Sequence, residues 1–307
     1  MKTLAEAVHE YLAVRRALGF KLRRETWSLP NFVAYLEANG SSAITTELAV
    51  RWARQPPGTT ARWWASRLSS VRQFARHHHA QDPRTEIPPA DAITSPKRRT
   101  IPHQYAEAEI VALMREASRL RRPLTAASYT TIIGLLSATG MRVSEALALN
   151  RDDVDFDREL LTVRHSKFGK SRHVPLDPTT VQALRRYVRT CDHLRPHGKS
   201  SAFFLSSSGA RVIYQNLQLV FMRLVDRAGL HRRGHRRPRI HDLRHTFAMV
   251  TLRDWYRGGM DAQRRLPQLS TYLGHVAPST TYWYLTATPE LMAAVGQRAS
   301  RAWKVRP

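Results

Sequence analysis

Prolines divide this chain. Pro83, Pro88, Pro89, Pro96 and Pro102 fall within residues 82–102, together with the basic run Lys97, Arg98 and Arg99. Proline fixes φ and brings no N–H, so neither a helix interior nor a central strand runs through such a stretch. It reads as an extended connector, and the 307-residue chain becomes two folding problems. We expect an N-terminal domain over residues 1–85, a basic proline-rich linker over 86–102 and a second domain over 103–307.

The first segment keeps helical spacing. Leu4, Val8, Tyr11, Leu12 and Leu18 follow it, as do Leu29, Phe32, Val33 and Leu36, then Trp64, Leu68, Val71 and Ala75. Pro56, Pro57 and Gly58 separate a short third helix, over 48–54, from a fourth, so four helices are expected. Arg62, Arg67, Arg72 and Arg76 run along the last helix and are expected to turn a basic face toward a DNA backbone; a solvated face gives the same pattern. His77, His78 and His79 are consecutive, and neighbours on a helix point in different directions, which argues against a metal site. No internal repeat is visible.

Composition narrows the partners. Lys and Arg number 49 against 24 Asp and Glu, a formal charge of +25 spread over both segments, while 42% hydrophobic content provides for real cores. Such a chain attracts a polyanion, and nucleic acid, which releases counterions on binding, is the commonest one in a cell. The single cysteine, Cys191, excludes an intrachain disulfide framework and a cysteine-based zinc site. No apolar run approaches the roughly 18 residues of a spanning helix, and the N-terminus is amphipathic and charged. The expectation is a soluble, intracellular, nucleoid-associated protein, cytoplasmic and without a membrane anchor.

The second segment carries the chemistry. Helical patterns over 110–118 and 126–138 lead into TGMRVSEALALN, where Val143, Ala146 and Leu147 suit a core while Arg142 and Glu145, three apart, share another face. The carboxylate can fix the guanidinium, whose planar fork matches two phosphate oxygens. LLTVRHSKFGKSRHVPL reads as two short strands around a turn containing Gly169, with Lys167 and Lys170 near its tip. A lysine there can reach a groove and protonate a leaving oxygen. Irregular basic segments are expected over 195–239, where Arg232, Arg233, Arg236, Arg237 and Arg239 concentrate charge suited to phosphate contacts. In HDLRHTFAMVTL, His241 and Arg244 share a helix face, with Phe247, Val250 and Leu252 on the buried side and His245 in support. YLGH then places His275 after a helix-ending glycine, and STTYWYL offers Tyr282 and Tyr284.

Taken together, TGMRVSEAL, HSKFGKSRHVPL, HDLRHTFAM, YLGH and STTYWYL resemble the tyrosine recombinase (phage integrase) family, with wording nearer to integrases of mobile elements than to chromosome-dimer resolvases. The resemblance implies a mainly α fold with a small β-sheet: an N-terminal helical core-binding (SAM-like) domain and a mixed α/β catalytic domain. It implies a catalytic set of Arg142, Lys167, His241, Arg244, His275 and Tyr284, supported by Glu145. It selects Lys167 over Lys170, and Tyr284 over Tyr282 because the nucleophile stands nine residues past the histidine. The implied reaction needs no metal and no other cofactor: Tyr284 attacks a phosphodiester of double-stranded DNA and leaves a 3′-phosphotyrosine. The implied assembly is a homotetramer, or a mixed recombinase assembly, on synapsed sites, with apolar residues of the tail (Leu291, Met292, Val295, Trp303) docking on a neighbour. The stretch 253–270 is longer than the resemblance leads one to expect. Two other readings use part of the same evidence: a type IB topoisomerase relaxes DNA by the same chemistry, and a non-catalytic architectural protein accounts for the charge alone.

Overall fold

The computed structural model describes residues 2–55, 57–95, 102–164, 171–195, 198, 200–231 and 236–274. Outside them lie Lys97, Arg98, Arg99, Lys167, Lys170, Arg232, Arg233, His275, Tyr282, Tyr284 and the tail residues named above. The chain divides into two compact units, residues 1–100 and 101–307.

The first unit is helical: α1 (Leu4–Ala17), α2 (Glu25–Ala38), α3 (Thr46–Arg54) and α4 (Ala61–His78). Threonines start three of them. Thr3 makes a reciprocal capping box with Glu6, while Thr45 and Thr60 accept from Leu48 N–H and Trp63 N–H, satisfying donors that a helix start leaves orphaned. The apolar stripes meet in one core that includes Leu12, Phe32, Leu36, Trp52, Leu68 and Phe74. Side chains of this size contribute roughly 1.5–3 kcal/mol each when fully buried.

Two sequence expectations change here. Residues 86–93, read as the start of the linker, pack on this unit: Ile93 joins the core, Glu86 N–H donates to Ile44 O, and the Glu86 carboxylate accepts from Thr46 N–H. Proline lacks a donor but keeps its acceptor, and Arg72 uses it, donating to Pro88 O at 2.6 Å and Pro89 O at 2.7 Å. Arg72 is thus engaged in holding the segment rather than standing on a free face. Arg67 is not outward at all. It is 6% exposed, lies 3.8 Å over the Trp52 ring and donates to Trp52 O. Arg62 and Arg76 remain exposed.

The second unit is mainly helical around a small antiparallel sheet. α5 (Glu107–Ser118) packs on α6 (Pro123–Thr139), which also meets α8 (Pro178–Leu194) and α10 (Asp242–Arg257). Surrounded in this way, α6 is apolar on several sides and buries Ile132, Ile133, Leu135 and Leu136. After the short α7 (Val143–Ala148), β1 (Val154–Asp155), β2 (Leu160–Val163) and β3 (Arg172–Pro175) pair in that order, with Leu161 opposite Val174 and Val163 opposite Arg172. The region expected to be irregular holds a helix, α9 (Tyr214–Arg227), whose Leu217, Phe221, Leu224 and Val225 enter the core beside Phe203 and Phe204. The long stretch after α10 forms α11 (Ala262–Leu273). Its Leu266, Leu269 and Leu273 close a smaller core with Ala248, Met249 and Leu252 of α10.

Candidate active site

Gly140 begins the site. α6 ends on it in the left-handed region (φ 59°), and a Cβ there would stand 2.4 Å from the Phe247 ring of α10. A side chain satisfies neither demand. The close turn delivers Arg142 to the N-cap of α7. Glu145, whose side chain is 6% exposed, accepts from Arg142 twice: from the backbone N–H at 2.9 Å and from Nη1 at 2.8 Å.

A third partner was not among the expected residues. Arg172, at the start of β3, donates Nη1 and Nη2 to the two oxygens of Glu145 at 3.1 and 2.8 Å. One carboxylate therefore holds two guanidiniums. Burial alone would raise the Glu145 carboxyl, but hydrogen bonds from Arg172 and Arg142, with the Arg172 charge, outweigh it and hold the group down at about 2. The sequence did carry a signal: Arg172 shares a strand face with Val174 and Leu176, both buried, and a charge on such a face needs a partner.

Arg244 comes from α10 and is 3% exposed. Its Nη1 donates to Gly140 O at 2.9 Å and its Nη2 to Leu273 O at 2.7 Å. The C-terminus of α11 is where three arginines meet. Arg172 Nε donates to Tyr272 O at 2.8 Å, Arg244 to Leu273 O, and Arg142 Nη2 to Gly274 O at 2.8 Å. The last carbonyls of a helix lack intrahelical partners and form its negative end, so cations are stable there. Gly274 is left-handed (φ 66°), and a Cβ on it would approach Arg172 Nη1 to 2.8 Å. The next residue in sequence is His275.

His241 stands at the N-cap of α10 and is solvent accessible. Crowding by the surrounding protein, then the charges of Arg244 and Arg239 with a smaller effect from Arg142, lower its imidazole pKa below the usual histidine value. The neutral ring then dominates at neutral pH and offers one acceptor nitrogen. His245 stacks edge-on against it at 5.0 Å and is held down at about 4 by burial and then by His241. Asp242, 1% exposed, accepts from the Arg239 backbone and from its guanidinium at 2.8 Å. That pair squares the start of α10.

The structure thus gathers Arg142, Glu145, His241 and Arg244, and adds Arg172. Lys167, His275 and Tyr284 lie outside the described residues. Of the basic residues expected on DNA, Arg237 donates to Met222 O and pairs with Asp226 of α9, Arg239 holds Asp242, and Arg236 is exposed. Among the described residues no group of three or more His, Cys, Asp or Glu is placed to hold a metal, and no helix is long and apolar enough to cross a membrane.

An arginine fork from each of two helices, fixed by backbone carbonyls, and a neutral imidazole beside them suit an anion with non-bridging oxygens. Known proteins agree. Residues 104–290 match the phage integrase family. The chain is 43% identical over 315 residues to a putative integrase/recombinase, y4rB, of Sinorhizobium fredii (strain NBRC 101917 / NGR234), with 100% of both chains covered. It is 28% identical to tyrosine recombinase XerC of Chlamydia pneumoniae, covering 76% of this chain and 70% of the relative. In fold it resembles the Tn1549 transposon integrase solved in complex with transposon right end DNA, with a TM-score of 0.66 at 17% identity, covering 97% and 100% of the two chains. Family match and full-length relative together establish that this chain belongs to the phage integrase family of tyrosine recombinases.

Proposed function

We propose that this site-specific DNA recombinase cleaves and rejoins the DNA of a mobile element through a 3′-phosphotyrosine on Tyr284. The observation that carries the reading is the closure of Arg142 and Arg244 on the consecutive carbonyls of Gly274 and Leu273. The phosphate clamp closes on the helix end that, in sequence, directly precedes His275. Relatives named integrase/recombinase, and the fold likeness to a transposon integrase, support the mobile-element role.

The chemistry follows from the residue types. The Tyr284 Oη attacks phosphorus in line, and its proton passes to His241, whose lowered pKa leaves an acceptor nitrogen available. Arg142 and Arg244 neutralise the non-bridging oxygens as charge builds, with His275 as a further donor. Lys167 protonates the departing 5′ oxygen. The phosphodiester is exchanged for a phosphotyrosine of similar energy, so a 5′-hydroxyl from another strand reverses the step and joins to it.

Binding is distributed. The first unit, including residues 86–93, forms a core-binding domain that meets the duplex through Arg62 and Arg76, and Lys97, Arg98 and Arg99 track phosphates in the linker. Arg232, Arg233 and Arg236 of the catalytic domain, 103–307, add further backbone contacts. Synapsis uses four protomers, alone or with a second recombinase, and the tail docks through Leu291, Met292, Val295 and Trp303. The protein works on the nucleoid.

A nicked suicide duplex tests the reading, because loss of the short cleaved end stops rejoining. The site is one selected by the full chain from a random pool. Wild type is expected to form a covalent protein–DNA adduct and Tyr284→Phe none. Failure of wild type to form one removes the enzyme reading, and an adduct with the variant removes Tyr284.

A further inference from the structure

Arg172 is partly buried against Glu145, with 11% of its side chain accessible where Arg142 keeps 26%. All three of its guanidinium nitrogens are used: two form a fork on Glu145 and the third donates to Tyr272 O. It lies so close to the backbone that a Cβ at position 274 would approach its Nη1 to 2.8 Å and push the guanidinium aside. We propose that Arg172 is a positioning residue for strand cleavage, which sets the Glu145 carboxylate that orients Arg142 and clasps the helix end on which Arg142 and Arg244 close. The proposal rests on the cleavage reaction described above.

The charge balance shows why the residue matters. Glu145 faces two guanidiniums, so its single negative charge is shared and Arg142 is only partly neutralised. Without Arg172, the carboxylate answers to Arg142 alone and competes with a phosphate for the same fork. The Tyr272 carbonyl also loses its guanidinium, and the segment that carries Gly274 O, the partner of Arg142 Nη2, loses one of its three arginine ties. Lysine cannot stand in: one ammonium does not span two carboxylate oxygens and a carbonyl in the geometry of a planar fork.

A role through Arg142 differs measurably from a role in stability. Arg142 would act on the charge of the non-bridging oxygens. A substrate in which a methyl group replaces one of those oxygens at the scissile position is neutral there, and is far less dependent on that clamp. The experiment measures single-turnover cleavage by wild type and Arg172→Lys on the selected nicked duplex, once with the phosphodiester and once with the methylphosphonate. Arg172→Lys is expected to bind the site within about 3-fold of wild type and to cleave the phosphodiester about 100-fold more slowly, the cost of a small misplacement of a catalytic group. On the methylphosphonate the deficit is expected to shrink to less than about 5-fold. An equal deficit on both substrates, or no deficit on the phosphodiester, overturns the proposal while leaving the cleavage reading intact. Absence of any wild-type adduct overturns both. Thermal melting of Arg172→Lys accompanies the assay, and a variant that is folded yet loses DNA binding also counts against the positioning role.

Discussion

Arg67 in the first unit and Arg244 in the second are both buried arginines on helices, and they do different work. Arg67 lies on the Trp52 ring and gives one hydrogen bond to the carbonyl of that same residue. It is a packing device, a long stem and a flat cation filling the groove between α3 and α4. Arg244 spans two carbonyls far apart in the chain, those of Gly140 and Leu273, and so ties the end of α6 to the end of α11. Arg142 and Arg172 reach the same helix end. Burial by itself therefore says little about an arginine's role; what matters is whether its donors converge with those of others.

The largest expected difference comes from substituting the two arginines in parallel. Arg244→Lys should slow single-turnover cleavage about 100- to 1000-fold, the usual cost of losing one preorganised donor to a developing oxyanion. Arg67→Ala should lower the stability of the first unit by about 2 kcal/mol, through lost packing and cation–π contact, and leave the cleavage rate of fully bound protein within a few-fold. Comparable cleavage losses in the two variants break the distinction. Gly140→Ala sharpens it from the backbone side. The new Cβ meets Phe247 and sits at a positive φ, so chemical denaturation should show about 1–3 kcal/mol of destabilisation, with cleavage slowed because Arg142 follows two residues on.

A separate effect, read in stability rather than in cleavage at neutral pH, is the dependence on acid. Glu145, like any glutamate, would ordinarily titrate near 4.5, and it is held at about 2 in the folded protein. A depressed carboxyl contributes stability that is complete above the unfolded value and is lost as pH falls through the folded one. The second unit should therefore lose roughly 3 kcal/mol between about pH 4.5 and pH 2, since each pH unit separating the folded and unfolded values is worth about 1.4 kcal/mol. Glu145→Gln should flatten that part of the stability profile; an unchanged slope would mean that Glu145 is not the group holding the arginines.

The same contrast explains what is legible in the sequence. The four helices of the first unit can be read there because each buries one stripe and starts on a threonine or a charged turn. Arg142 with Glu145, and His241 with Arg244, can be read because i, i+3 spacing makes neighbours on a helix. α9 is harder to see: its stripe of Leu217, Phe221, Leu224 and Val225 follows the helical rule, but the arginine-rich segments around it dominate the pattern. Residues 86–93 look like linker because proline signals chain direction and says nothing of which side chain will take its carbonyl. The capture of three consecutive carbonyls at Tyr272, Leu273 and Gly274 has no sequence signature, since every residue carries that acceptor. Arg172 is within reach through the alternation of β3, yet its bond to Glu145 joins elements 27 positions apart.

The most direct measurement is to digest the trapped covalent adduct and map the DNA-linked peptide by mass spectrometry. The expected result is a 3′-phosphoryl linkage on Tyr284, in the segment that follows the helix end held by Arg142, Arg172 and Arg244. A linkage on Tyr282, on a serine, or on any residue of the first unit would contradict it.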